Sequence, residues 1–160
     1  MARILFDLDI EAPADEIVAA LNTPEGLRSW WTDDLEFPGG VGATMKPNFP
    51  IAPMPFELTV ETAGPTDVVW RSVGEFPPHW KDTTIKWTLT ANDAGGTHLH
   101  FNHDDWATDE GMFGMTAYTW GQLLGVLKNY VESGVSQPMF VKAPASASTT
   151  DSPNQRQPPA

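Results

Sequence analysis

The sequence predicts an α+β domain in which one long helix lies on an antiparallel sheet of about six to seven strands. The first observation is an apolar stripe at helical spacing between Met112 and Glu132. The second is the stretch from Leu35 to His103, where short apolar runs alternate with glycine, proline and asparagine. The third is a pair of short helical segments that precede this stretch. Together they predict a sheet followed by a long covering helix.

The first strand is predicted over residues 3–11, because apolar and polar residues alternate there. Its buried face consists of Ile4, Phe6, Leu8 and Ile10. Pro13 ends the strand, and the acids after it favour the first turn of a short helix that runs to about Leu21. Thr23 and Pro24 predict a second short helix, because threonine caps a helix and proline suits its first position.

Five further strands are predicted from apolar runs closed by turn residues. They are Gly42–Lys46, Pro55–Thr62, Asp67–Val73, Thr83–Ala91 and Thr97–His103. Residues 92–96 predict the hairpin turn between the last two. Two longer connections, 45–55 and 74–82, are rich in proline and carry Phe49 and Trp80. These two side chains either frame the mouth of a cavity or pack over the edge of the sheet.

The long helix presents a wide apolar face. At 100° per residue, its apolar residues fall in an arc of roughly 140° around Trp120. The arc contains Met112, Phe113, Thr116, Ala117, Trp120, Leu123, Leu124, Leu127, Tyr130 and Val131. Gly121 and Gly125 lie at its margin, and each costs about 1 kcal/mol relative to alanine inside a helix. The close approach of a strand or of a ligand would explain both glycines.

Length, charge and composition exclude several classes of protein. The 160 residues suffice for one domain with a core. Nine basic residues against 21 acids give a net charge of −12, which argues against binding nucleic acid or an anionic membrane. The chain has no cysteine for thiolate chemistry, and no apolar run reaches the length of a membrane span. We therefore expect a soluble, cytoplasmic protein.

The composition changes near Gln137. From there to Ala160 the chain is dominated by proline, serine, threonine, alanine and glutamine, with no aromatic residue after Phe140. Such a segment buries too little apolar surface to offset its ordering entropy. We predict a folded domain over residues 1–136 and a disordered tail over residues 137–160.

Three local patterns carry a resemblance to a known family. Residues 23–31, Thr-Pro-Glu-Gly-Leu-Arg-Ser-Trp-Trp, resemble its stretch that ends in Trp-Trp after the second helix. Residues 97–106 are similar to its last strand, which often ends in histidine followed shortly by Gly-Trp. Residues 120–134 are similar to the final helix of one branch. The family is the START-like, or SRPBCC, superfamily, and the branch is named after the activator of the 90-kilodalton heat-shock protein's ATPase.

The resemblance covers residues 3 to 136 and implies the helix-grip fold, a curved sheet wrapped around the last helix. It also implies an elongated pocket between the sheet and that helix. The wall residues of this pocket would be Trp31, Trp70, Trp87, Phe101, Phe113 and Trp120. A filled aromatic core without a cavity is the alternative. Asp105 departs from the branch, which commonly has glycine there, so the turn after the last strand is expected to differ.

His98 and His100 are the first ionisable residues to consider. They lie two apart on a predicted strand and share one face, which suits metal ligands. That face is opposite to Leu99 and Phe101, so both imidazoles should point to solvent, and no third ligand shares an obvious position. We expect no metal ion and no cofactor.

His103, Asp104 and Asp105 form a second group. His103 has the inward parity of Phe101 and falls at the end of the predicted strand. With one of the aspartates it would make an acid–base pair, as in a cyclase or hydrolase. The structural alternative is that His103 hydrogen-bonds the backbone at the strand end, while the aspartates precede or cap the helix.

Three functions follow from the resemblance, whose members include carriers, cyclases, co-chaperone domains and stress proteins. The leading hypothesis is a domain that binds a hydrophobic or amphipathic small molecule in the pocket without chemistry of its own. The second is a protein-interaction module that modulates a chaperone ATPase. The third is a polyketide cyclase- or dehydratase-like enzyme that uses His103. A nucleophilic enzyme is not expected, because the chain has neither cysteine nor a Gly-x-Ser-x-Gly motif.

Overall fold

The structure is a computed structural model that describes residues 2–142. Its elements, in chain order, are β1 (Ala2–Ile10), α1 (Ala14–Asn22), α2 (Pro24–Trp30), β2 (Leu35–Glu36), β3 (Thr44–Pro47), β4 (Leu58–Ala63), β5 (Asp67–Ser72), β6 (Thr84–Ala91), β7 (Thr97–Trp106) and α3 (Phe113–Ser133). The strands form one antiparallel sheet in the order β1-β7-β6-β5-β4-β3-β2. The predicted α+β helix-grip fold is confirmed, with its curved sheet, its long last helix and its two short helices after β1.

The first strand behaves as its alternation predicts. Ile4 and Ile10 are buried, and Phe6 is partly buried against the core. β1 pairs with β7 so that Phe6 lies opposite Phe101. Because paired residues point to the same face of a sheet, the apolar sides of both strands face α3.

The second short helix begins at the cap and proline that the sequence predicts. The Thr23 hydroxyl accepts a hydrogen bond from the Gly26 backbone N–H at 3.0 Å, and Pro24 occupies the first helical position. α1 and α2 cross closely at Gly26, where a Cβ atom would lie 2.6 Å from the Ala19 carbonyl oxygen. This contact positions the end of α2 so that Trp30 and Trp31 lie in the interior.

The apolar face of α3 is confirmed over its central turns, but not at its start. Its buried residues are Thr116, Trp120, Leu123, Leu124 and Leu127. The predicted arc includes Met112, yet this residue precedes the first helical turn and is 48% exposed. The helix ends at Ser133 and is capped by Gly134, whose φ of +76° allows its N–H to bond the Tyr130 carbonyl at 2.7 Å.

The last long strand extends beyond its predicted end. β7 continues past His103 to Trp106 because it contains a bulge: Asp104 and Asp105 together face the single residue Arg3 of β1. The bulge places Trp106 on the inward face of the sheet. Simple alternation from His103 would instead point Trp106 toward solvent. Bulges are set by pairing between strands, so alternation within one strand does not reveal them.

Residues after α3 also contact the domain. The predicted tail begins at residue 137, but the backbone N–H groups of Gln137, Met139 and Phe140 donate to carbonyls of Ser29, Trp30 and Trp31 at 3.0 Å each. These bonds satisfy carbonyls at the end of α2, which a composition argument does not consider. The rest of the predicted tail, 143–160, lies outside the described residues. Within residues 2–142, no helix is both long and apolar enough to cross a membrane.

Candidate functional site

The structure brings five of the six predicted wall residues into one aromatic cluster. Trp31 stacks on Trp70, with ring centroids 5.6 Å apart and planes 7° apart. Trp87 contacts Trp70 at 5.1 Å and Phe101 at 4.8 Å. Trp120 reaches from α3 to Trp31 at 5.6 Å and to Phe101 at 4.7 Å. All five side chains are at most 1% exposed, so the cluster lies between the sheet and α3.

Phe113, the sixth predicted wall residue, lies apart from this cluster. It is partly buried at the start of α3 and packs edge-on against Trp106, with 5.2 Å between ring centroids. Trp106 in turn contacts His103 at 5.0 Å, which connects this corner to the cluster. Phe113 therefore borders the site at one end.

Three tryptophans outside the six predicted wall residues join the cluster, and for one of them, Trp80, the sequence predicts either a cavity mouth or packing over the sheet edge. Trp30 stacks on Trp31 at 5.8 Å, and Trp80 contacts Trp120 at 6.1 Å. The third is Trp106, which the bulge turns inward. A signal for Trp30 existed in the Trp-Trp pair, whereas a loop residue such as Trp80 has no periodicity from which its direction can be predicted.

The aromatic rings pack against one another between the sheet and α3. Two grooves beside α3 have volumes of about 300 and 290 Å³, and none of the predicted wall residues lines either. Tyr130 lines both grooves. The first runs past Gly125 and Gln137, and the second past Ala19 and Gly26. The five clustered side chains are buried and contact one another, and these two grooves lie outside the cluster.

Three indole N–H groups in this interior have no hydrogen-bond acceptor among the described residues. They belong to Trp70, Trp87 and Trp106. By contrast, Trp30 donates to the Ala20 carbonyl at 2.9 Å and Trp120 donates to His103 at 3.1 Å. Buried donors normally find partners, so these three are the polar atoms of the site that the protein leaves unpaired.

His103 is fixed between two elements by hydrogen bonds on both ring nitrogens. The Trp120 indole donates to Nδ1 at 3.1 Å, so Nδ1 carries no proton. Nε2 therefore donates to the Thr83 hydroxyl at 2.9 Å, and that hydroxyl donates to the Trp80 carbonyl at 2.6 Å. Burial lowers the pKa of His103 to about 3, with a smaller contribution from His79. The imidazole is neutral at physiological pH.

The two aspartates after His103 do not join it in an acid–base pair. Asp104 accepts a hydrogen bond from the Asp105 backbone N–H at 2.8 Å and lies 3.7 Å from the Lys86 ammonium. Asp105 has a φ of +68°, the left-handed conformation in which a bulge favours glycine. Asp105 thus replaces the glycine that is common in the branch, yet its backbone still adopts the conformation that glycine favours.

His98 and His100 lie on the outer face of the sheet, as their parity predicts. His98 binds Asp9 at 3.1 Å and Asp7 at 3.0 Å, and His100 binds Asp7 at 2.8 Å. The hydrogen bonds that the His98 ring donates to the Asp7 and Asp9 carboxylates raise the pKa of His98. The described residues contain no group of three or more side chains arranged to hold a metal ion. These contacts join the exposed faces of β1 and β7.

Comparison with known proteins assigns the chain to a family. The family model of the activator of Hsp90 ATPase homolog 1-like proteins matches residues 11–132. The chain belongs to this family. No curated protein sequence matches it significantly. The match spans α1 to α3 and thus includes every wall residue of the candidate site.

Solved structures of other proteins share the fold of this family member. The Aha1 dimer from Colwellia psychrerythraea is 30% identical, with a TM-score of 0.74 over 84% of this chain and 98% of that one. DynU16, from the dynemicin biosynthetic locus, is 23% identical, with a TM-score of 0.66 over 84% of this chain and 48% of that one. A protein from Staphylococcus saprophyticus is 17% identical, with a TM-score of 0.70 over 88% and 98%. The last two likenesses concern the fold alone.

Proposed function

We propose that this protein binds a planar, mostly apolar small molecule with a hydrogen-bond acceptor, between the sheet and α3. The observation that carries the proposal is the pair of unpaired indole N–H groups of Trp70 and Trp87, on neighbouring strands. Both side chains are fully buried. A buried donor without a partner costs about 1–3 kcal/mol, and a ligand oxygen placed between them would remove that cost.

Because the rings of the cluster contact one another, a ligand between them must replace one of them. Trp31 is the best candidate, since it follows α2 instead of a sheet strand and its ring lies parallel to Trp70. A planar ligand stacked on Trp70 would reproduce this contact. The Trp31 carbonyl is held by the Phe140 N–H at 3.0 Å, so we expect its side chain to move while its backbone stays in place.

A pair of probes of equal shape tests the acceptor. Fluorenone and fluorene are both planar and apolar, and they differ by one carbonyl oxygen. We expect fluorenone to bind more tightly and to raise the thermal unfolding temperature more, measured by calorimetric titration and thermal shift. Trp70→Phe keeps an aromatic ring but removes the N–H, so it should reduce the preference for fluorenone.

Trp30→Phe is the matched control, because the Trp30 N–H is already bonded to Ala20. This variant should keep the preference for fluorenone even if it lowers stability. The proposal is wrong if neither probe binds, or if the two bind equally well to the unaltered protein. A preference that survives both Trp70→Phe and Trp87→Phe would also contradict the assignment of these donors.

A second candidate function is a protein-interaction module that modulates a chaperone ATPase. The 30% identity to a protein named Aha1, over nearly that protein's whole length, favours it. Measuring the ATPase rate of an Hsp90 chaperone with increasing amounts of this protein tests the idea. A saturable change in rate supports it, and an unchanged rate at saturation argues against it.

The cyclase or dehydratase hypothesis gains no support from the geometry. Both nitrogens of His103 are engaged, and the ring is buried and neutral. Catalysis by His103 with Asp104 or Asp105 stays a prediction. A cytoplasmic location also stays a prediction; the absence of cysteine is compatible with it.

A further inference from the structure

Three exposed apolar residues lie at the start of α3, one just before the helix and two in its first turns. These residues, Met112, Met115 and Tyr118, are 48%, 61% and 66% exposed. Trp120 faces the sheet, and Tyr118 is about 160° from it around the helix. A Cβ atom at Gly114 would meet nothing within 4 Å. We call Met112, Met115 and Tyr118 the outer face of α3.

Acidic residues border this outer face without basic partners. Asp109 and Glu110 precede it, separated from Met112 by Gly111, and both are exposed. Residues 87–127 contain no lysine or arginine. Within residues 2–142, no ion pair involves Asp109 or Glu110. The next base along the helix, Lys128, already binds Glu132 and the Asp9 carbonyl.

We propose that the outer face of α3 binds a basic amphipathic helix of a partner protein. The side chains of Met112 and Met115 are flexible and polarisable, which suits a surface that packs against a partner's apolar side chains. The uncompensated acids would pair with lysine or arginine at the rim of that helix. The net charge of −12 makes an anionic membrane an unfavourable alternative.

A second copy of the chain is a less favourable occupant than a basic helix. Two outer faces brought together would place Asp109 and Glu110 of both copies at one interface, with like charges facing each other. The proposal is independent of an interior ligand, because Met115 and Tyr118 lie on the side of α3 opposite to Trp120. It would give the interaction-module candidate a specific surface.

Methionine methyl spectra test the location of the site. The probe is a helical peptide with leucine on one face and lysine on the other, and the control peptide carries glutamate instead of lysine. With methyl-labelled methionine, the signals of Met112 and Met115 should shift when the lysine peptide is added. Met54 is also 48% exposed and serves as the internal control, whose signal should stay in place.

Two variants separate the apolar part of the interaction from the charged part. Met115→Gln with Tyr118→Ser should weaken binding of the lysine peptide about tenfold. Asp109→Asn with Glu110→Gln should weaken it several-fold and reduce its dependence on salt. Val41→Ser removes an exposed apolar side chain from another loop and should change nothing.

Each of four results would overturn the proposal. The first is equal binding of the lysine and glutamate peptides. The second is a shift of Met54 in place of Met112 and Met115. The third is unchanged affinity in the Met115→Gln, Tyr118→Ser variant. The fourth is self-association of the protein that this variant abolishes, since it would assign the outer face to a second copy. An unchanged chaperone ATPase rate would leave this peptide result intact, so the two ideas fail separately.

Discussion

At His103, strand β7, helix α3 and the loop before β6 are joined through one imidazole ring. The ring accepts from Trp120 and donates to Thr83, which requires the neutral form with its proton on Nε2. A second proton on Nδ1 would break the bond to Trp120 and place a buried charge among aromatic rings. The network is therefore intact only while the histidine stays neutral.

This requirement predicts how stability depends on pH. The pKa of His103 is about 3 in the folded protein, against 6.5 for an ordinary histidine. Between these values the unfolded chain binds a proton that the folded chain does not, so stability falls as pH drops below about 6.5. We expect His103→Gln to remove part of this slope between pH 7.5 and 5, measured by urea unfolding.

His98 provides a control of opposite sign. Its hydrogen bonds to Asp7 and Asp9 raise its folded pKa, so it contributes stability below the unfolded pKa and loses that contribution as pH rises through the folded one. His98→Gln should therefore make the loss of stability on acidification steeper. Equal slopes for the wild type and His103→Gln would contradict the assignment, as would titration of the His103 ring above pH 5 in nuclear magnetic resonance spectra.

The backbone conformation of Asp105 leads to a second prediction, which concerns stability. Its φ of +68° costs an ordinary side chain about 1–2 kcal/mol, although aspartate tolerates it better than most residues. Asp105→Gly relieves this strain but increases the freedom of the unfolded chain. We expect a net gain of about 0.5 kcal/mol in the free energy of unfolding, measured with urea.

Asp105→Asn separates conformation from charge. Asparagine also accepts a positive φ, so this variant should change stability little while it removes the carboxylate near Arg71. If Asp105→Gly were less stable than the wild type and Asp105→Asn were not, strain at the bulge would be excluded as the explanation.

On the scale of elements, α3 carries two glycines in different surroundings. A Cβ atom at Gly121 would lie 3.4 Å from the Phe6 ring, whereas one at Gly125 would meet nothing within 4 Å. Gly125→Ala should therefore gain about 1 kcal/mol in the free energy of unfolding from helix propensity alone. Gly121→Ala should gain less, because the new methyl group presses on Phe6.

Chemical denaturation of both variants gives the comparison. A larger gain for Gly121→Ala than for Gly125→Ala would contradict this account of the helix. The sequence placed both glycines at the margin of the apolar arc and left a strand or a ligand as the explanation. In the structure, the close approach at Gly121 comes from a strand, because Phe6 of β1 lies against the helix there.

Elements were predictable where a local period exists. The alternation of apolar and polar residues from Ile4 to Ile10 predicts β1, and the apolar stripe around Trp120 predicts α3. The two-residue strand Leu35–Glu36 was not predicted, because so short an element has no period. The extension of β7 to Trp106 was also missed, since the bulge depends on pairing with β1.

For the whole molecule, the alternation of side chains along the strands correctly predicted that Trp70, Trp87 and Phe101 face one interior. It did not identify which of their polar atoms find partners, because that depends on side chains from distant elements. The bond between Trp120 and His103 joins residues 17 apart in sequence, and the unpaired N–H groups become evident only once every neighbour is in place. The site is therefore less predictable than the fold.

The aromatic cluster also determines how this protein interacts with light. Indoles as close as Trp31, Trp70 and Trp87, at 5.1 to 5.6 Å between neighbours, couple their electronic transitions. Their fixed and chiral arrangement should give intense near-ultraviolet circular dichroism, and energy absorbed by one ring passes readily to the next. The emission of the folded protein is consequently a collective property, and no spectral band is expected to belong to a single tryptophan.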